Sequence, residues 1–188
     1  MPTKRFPVEY AILGIIAEGP AHGYVLRKRL DAALGPFWNI ATSQIYSALH
    51  SMADEGLVTV EVQEQAGRPP RNVYLATERG TRALFQWCVA PVRHLRDIRV
   101  VFMAKLYFLH HSSSNAVLTL IDAQAALLDR LLARVSQRKD LPTDDKTLAH
   151  LAIRFRVRQI RAAIDWLEEC KRWILENEKG DTDEVQLA

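Results

Sequence analysis

The chain has 188 residues, 48% of them apolar, with 25 Lys and Arg against 22 Asp and Glu and a formal net charge of +3. That length and apolar share suit one ordinary domain, or a small domain with an extension, with enough apolar material for a real core. No run of eighteen apolar residues occurs and Met1 to Pro7 holds no apolar signal core, so a soluble cytoplasmic protein is expected, without a membrane span or secretory leader.

In chain order, Val8 to Glu18 predicts a short apolar helix carrying Tyr10, Ile12, Leu13, Ile15 and Ile16, ended by Gly19-Pro20. A second helix begins near His22-Gly23-Tyr24, with His22 as its expected cap. It turns Val25, Leu26, Leu30 and Leu34 inward and stops at Gly35-Pro36. Phe37 and Trp38 occupy the turn before a third helix. There Ile45, Leu49 and Met52 recur at steps of four and three and so share one face, while Gln44, Ser47, His50 and Ser51 take the other. Thr42 or Ser43 is the expected N-cap, its hydroxyl accepting a free N–H of the first turn. Gly56 sits where a left-handed closing residue is wanted, and Leu57 to Val62 and Asn72 to Thr77 read as strands. Between them Gly67-Arg68-Pro69-Pro70 is expected to reverse the chain, because two prolines supply no N–H to a ladder.

Three helices followed by a hairpin make a winged helix-turn-helix with a two-stranded wing. Glu78-Arg79-Gly80 opens a further helix through Val89, and Pro91 is the expected boundary between residues 1–90, a DNA-binding domain, and 91–188, a helical domain for dimerisation and effector binding. The fold class expected is therefore mainly α. Ile98 to His110 is apolar almost throughout, which implies burial on more than one side. Ser112 to Asn115 caps the next helix, whose Val117, Ile121, Leu128, Leu131 and Val135 form one stripe, and Leu141 to Asp145 makes a turn. The last helix is expected from Lys146 to Glu178, with Asp181 to Ala188 as a frayed acidic tail. Leu148, Phe155, Ala163, Trp166 and Trp173 recur along it at steps near 3.5, with Ile160 and Leu167 alongside. A helix of roughly thirty residues spans about 45 Å, longer than a 100-residue domain buries alone. Pairing with the same helices of a second subunit is expected, and packing on its own domain is the competing reading.

Charge argues through placement. Met1 to Gly80 holds eight Lys or Arg and eight Asp or Glu, so bulk charge says nothing about nucleic acid there. The cations sit at Lys4-Arg5 in the arm, Arg27-Lys28-Arg29 in the second helix, and Arg68 and Arg71 at the wing. Together with the helix-and-wing pattern they point to phosphate contacts. Cys88 and Cys170 form neither a disulfide framework nor a metal pair and read as two reduced thiols in helices. Adjacent His110 and His111 point about 100° apart on a helix, so no metal site is expected. No Gly-rich phosphate loop or Gly-x-Ser-x-Gly motif is present, so neither a catalytic residue nor a cofactor is assigned.

Ala11-Ile12-Leu13-Gly14, Gly19-Pro20-Ala21-His22-Gly23-Tyr24, Phe37-Trp38, Ile45-Tyr46 with Ala48-Leu49, Glu55-Gly56-Leu57-Val58, and Gly67 to Arg71 with Tyr74, Thr77 and Gly80 occur in an order that resembles the PadR-type transcriptional regulators, in the subgroup with a full helical C-terminal domain. Two departures stand out: Ala41-Thr42-Ser43 and Ser47 replace the family's usual Ser-Pro-Gly start and following proline, so base preferences do not transfer. The resemblance implies a homodimeric repressor that binds a pseudo-palindromic double-stranded operator and is released by a small molecule, with phenolic acids as the family's example.

Thr42, Ser43, Gln44, Ser47 and His50 would face the major groove, where Gln pairs with adenine and Ser or neutral His donates or accepts. Tyr46 either reaches a phosphate, as the resemblance suggests, or fills the gap beneath the first helix. Arg68 and Arg71 would grip the neighbouring backbone or minor groove, with Lys4, Arg5, Arg27 and Lys28 as further backbone contacts. Trp87, His94, Arg96, Arg99, Phe102, Lys105 and Tyr107 mix aromatic faces and cations in a way that suits an aromatic carboxylate effector. Core packing with a solvated basic edge competes for any one of them. The alternative function is a winged-helix protein-interaction module without specific DNA binding.

Overall fold

The computed structural model describes residues 7–65, 67–137 and 146–185, and the chain gathers into two compact units. One holds the chain up to Ala90 together with Arg96–Ser112; the other holds Pro91–Leu95 and the chain from Ser113 onward. The expected division at Pro91 is corrected for one segment, since residues 96–112 pack with the first unit. Lys4, Arg5 and the turn at Leu141 to Asp145 lie outside the described residues.

The first unit is built around α1 (Pro7–Ala17), which buries six consecutive residues, Ala11 to Ile16. A helix buried on every side needs partners on every side. α1 packs against α2 (Gly23–Leu34), α3 (Thr42–Asp54), α4 (Glu78–Val89) and the strand β3 (Arg68–Ala76). Leu26, Leu30 and Leu34 of α2 and Ile45, Ala48, Leu49 and Met52 of α3 are the inward residues, as their spacing predicts. Each large side chain so buried contributes roughly 1.5–3 kcal/mol.

The wing pairs β2 (Val58–Gln65) with β3 in antiparallel register from Val58↔Ala76 to Gln65↔Arg68. Two points differ from expectation. Gly67, just before β3, has φ +70°, while Pro69 and Pro70 lie within β3. The register slips between Gln63 and Gln65, so the prolines sit at an irregularity where fewer ladder N–H groups are needed. A third strand, β1 (Ala21–His22), joins β3 through Ala21↔Tyr74 and His22↔Val73, giving a sheet of order β1-β3-β2. The base of the wing is fastened to α4. Thr77 caps that helix by accepting from the Gly80 N–H at 3.0 Å, its own hydroxyl reaches the Gly56 carbonyl at 2.9 Å, and a Cβ on Gly80 would stand 2.2 Å from the Leu57 carbonyl oxygen.

The expected helix Ile98 to His110 is instead a 3-10 turn at Leu95–Asp97, a π turn at Ile98–Phe102 and α5 (Met103–His110). α5 packs on α4. Lys105 is 3% exposed, and its Nζ donates to the Trp87 and Ala90 carbonyls at 2.5 and 2.6 Å, closing the C-terminal end of α4. It also lies 4.5 Å from the Trp87 ring centre, and Trp87 stacks on Tyr10 at 4.9 Å. Burial pushes the Lys105 ammonium down to about 8, opposed by Cys88, and pushes the Cys88 thiol up to about 12.

The second unit pairs α6 (Ser114–Ser136) with α7 (Lys146–Val185). Ser113 caps α6 by accepting from Ala116 N–H. α7 runs 40 residues, past the expected end at Glu178, so residues 181–185 continue the helix. Val117, Leu120, Ile121 and Leu128 face Ala149, Ile160 and Leu167, and Lys171 meets Asp122 at 2.6 Å. Gln124, wholly buried, holds both sides of one peptide residue: its Oε1 accepts from Val92 N–H at 2.7 Å and its Nε2 donates to the Val92 carbonyl at 3.1 Å. Gln124→Leu strands both Val92 groups in an apolar surrounding, at a cost of about 1–3 kcal/mol. A urea titration is expected to show a lower midpoint with an unchanged slope.

Candidate nucleic-acid interface

Because Ile45, Leu49 and Met52 are held in the core at 1% exposure, α3 cannot rotate about its axis, and its outward side is set. Thr42, Ser43, Gln44, Tyr46, Ser47 and His50 are all exposed on that side. The start of the helix differs in detail from expectation. Its N-cap is Ala41, which has no capping side chain, and the first turn is closed instead by Gln44, whose Oε1 accepts from the Ala41 N–H at 3.1 Å. The Gln44 amide keeps its two N–H donors and one lone pair. Thr42 is the first helical residue, and its hydroxyl accepts from Arg27 Nη1 at 2.9 Å.

Arg27 therefore faces the protein: its Nε pairs with Asp31 at 2.7 Å while Nη1 reaches across to α3. Arg29 donates to the Gly19 carbonyl at 2.9 Å, and Lys28 is exposed. Tyr46 is 54% exposed, and its hydroxyl would lie 2.6 Å from a Cβ on Gly23. The ring thus rests against the start of α2, a close approach that only glycine admits there, and does not fill a gap beneath α1. His22 occupies the N-cap position of α2 but makes no capping bond; its ring lies 6.5 Å from that of Tyr24, which is 75% exposed. On the wing, Arg71 directs Nε and Nη2 to the Gln63 Oε1 at 3.2 and 3.0 Å across the strands. Arg68 stands at the first position of β3 beside Gly67.

Of the residues expected at an effector site, Lys105 and Trp87 are brought together, Nζ lying 4.5 Å from the ring centre. Phe102 is fully buried, Lys105 is engaged with two carbonyls, and Trp87 is stacked on Tyr10. Tyr107 is half-buried beside the His111 ring at 4.6 Å. Arg96 pairs with Asp97 at 3.7 Å, Arg99 is exposed, and His94 belongs to the second unit. Along α7, Leu148, Phe155 and Trp173 are 59%, 64% and 59% exposed. Their spacings of seven and eighteen residues bring them to one line on the helix, about 120° from Ala149, Ile160 and Leu167. Ala163 and Trp166 are half-buried. Ile160 and Leu167, expected at a subunit interface, are consumed by packing within the unit.

Residues 12–86 match the sequence model of the transcriptional regulator PadR-like family, and residues 98–174 match that of the virulence activator alpha C-terminal domain. The chain is 29% identical over 134 residues to the negative transcriptional regulator PadR of Bacillus subtilis, covering 71% of this chain and 70% of that protein. It is 29% identical over 181 residues to a probable transcriptional regulator of Mycobacterium tuberculosis, covering 85% and 93%. Among solved structures it resembles Bacillus subtilis PadR in complex with operator DNA (TM-score 0.45, 24% identity, 87% of this chain and 97% of that one) and in complex with p-coumaric acid (TM-score 0.42, 23% identity, 90% and 99%). The winged helix-turn-helix, whose third helix turns a polar face outward, is thus a domain of the PadR-like transcriptional regulator type, and the helical region after it matches a different domain model.

Proposed function

We propose that this regulator is a homodimeric, sequence-specific repressor that reads a pseudo-palindromic operator through α3 and is released by a small aromatic molecule. The observation that carries the reading is the fixed outward face of α3, a polar surface on a helix that burial prevents from turning. In this reading Gln44, Ser47 and His50, with Thr42 and Ser43 at the helix start, meet base edges in the major groove. The Tyr46 hydroxyl, held at the start of α2, meets a phosphate. Arg68, Arg71, Lys28, Lys4 and Arg5 contact the backbone, and Arg27 acts by holding the start of α3 in place. Dimerisation uses the exposed line Leu148, Phe155 and Trp173, which leaves a large apolar surface in water on a single chain. Repression is supported by the relative in Bacillus subtilis, named a negative regulator and also crystallised with p-coumaric acid. A cytoplasmic location follows from this role, and no described helix is long and apolar enough to cross a membrane.

Fluorescence anisotropy with the protein's own upstream DNA against a scrambled duplex, across a salt series, tests this reading. Preference for the native duplex at two chains per site is expected; equal weak binding to both would leave a winged helix that engages proteins instead. Gln44→Ala is expected to relax base selectivity, at about 1–3 kcal/mol for the affected position. Arg68→Ala should weaken all sequences alike and lower the salt slope by about 1. Arg27→Met, by contrast, should weaken specific binding with the slope unchanged. Phe155→Glu should give a monomer in sedimentation velocity and lose most operator affinity.

A further inference from the structure

The first unit contains a cavity of about 330 Å³ between α1, α4 and α5, half open to solvent. That is near the lower end of small-molecule sites, about 300–1,000 Å³. Its shape follows from a glycine. A Cβ on Gly14 would lie 2.4 Å from the Phe108 ring, so the ring occupies the place a side chain on α1 would take and floors the cavity. Leu84 and Phe85 of α4 form a wall, and Phe85 is 56% exposed, an aromatic face that the chain's own packing does not cover.

The polar groups lie together at one side. Glu18, at the end of α1, lines the cavity beside His111. Its carboxyl is pushed up by burial, moderated by His111 and Arg29, and it in turn raises the Tyr107 hydroxyl, itself raised first by burial. Arg29 is engaged with the Gly19 carbonyl, and the Glu18 carboxylate makes no ion pair or hydrogen bond among the described residues. His111 Nδ1 is 2.8 Å from the Tyr107 carbonyl, which can only accept, so Nδ1 carries a proton. No Lys or Arg is among the lining residues.

We propose that this cavity is a binding site for a small aryl-alkyl ammonium, its cation held by Glu18 and its ring lodged between Leu84, Phe85 and Phe108. The Glu18 carboxylate accepts N–H donors, and the aromatic faces attract a cation. A carboxylate ligand would find no Lys or Arg in the lining and would meet the Glu18 carboxylate instead. The proposal gives the charge class of the effector and so rests on the repressor reading only for its consequence on DNA; binding itself needs none.

Equilibrium dialysis of the full chain at neutral pH tests it, with phenethylammonium, 3-phenylpropanoate and 2-phenylethanol as matched cationic, anionic and neutral probes. The expected result is saturable uptake of one phenethylammonium per chain, at least tenfold weaker uptake of the other two, and at least tenfold loss in Glu18→Gln. Glu18 is exposed and makes no ion pair among the described residues, so the variant's thermal midpoint should stay close to the parent's. Phe85→Ala, at an exposed position, provides a second variant and should also weaken the amine. Equal uptake of anion and cation, no uptake of the amine, or an unaffected Glu18→Gln each overturns the site. The regulator reading fails separately, by loss of preference for the native duplex in the anisotropy series while amine uptake persists.

Discussion

The first unit depends on the burial of one short helix from all sides. α1 has no solvent face between Ala11 and Ile16, so every neighbour must supply an apolar surface of matching shape, and each neighbour is thereby oriented. α3 packs Ile45, Leu49 and Met52 into that core, which leaves no choice about where Ser43, Ser47 and His50 point. The outward polar face of α3 is thus a by-product of core packing. Gly14 extends the same logic to α5, whose Phe108 ring enters where α1 lacks a side chain.

Polar groups in the interior serve a narrower purpose. Among the described residues the two buried polar or charged side chains are Lys105 and Gln124, and both bind backbone within a few residues of Pro91. Lys105 closes the last carbonyls of α4 from within the first unit, and Gln124 satisfies Val92 from within the second. A segment passing between units has no ladder or helix to pair its peptide groups, and unpaired groups in an apolar setting are costly. Burying a lysine and a glutamine there is the remedy, with directional bonds that apolar packing does not provide.

The helices of the first unit were legible because their apolar residues repeat every three or four positions and are bounded by Gly-Pro pairs at Gly19-Pro20 and Gly35-Pro36. The wing was legible from its β-branched runs, but not the position of its prolines, since a bulge tolerates in a strand what a regular ladder forbids. β1 is two residues of no strand propensity and exists because β3 offers it an edge. At the candidate interface the outward set on α3 followed from spacing. The roles of Gln44 and Arg27 did not, because Ala41 hides the capping pattern and Arg27 finds its partner fifteen residues away. The grouping of Glu18 with His111 depends on contact between segments far apart in sequence, which no local period records.

The route of the chain between the units sets when the winged helix can be completed during synthesis. The chain leaves the first unit after Ala90, re-enters at Arg96 and departs again after Ser112. A nascent chain that has emerged only as far as Ala90 holds every helix of the helix-turn-helix, yet α1 still lacks the Phe108 ring at Gly14 and α4 lacks the ammonium at its end. Recombination that joined the first 90 residues to a foreign partner would inherit the same vacancy. The inheritable module is the stretch through Ser112, and the five residues from Pro91 to Leu95 travel with it although they belong to its neighbour.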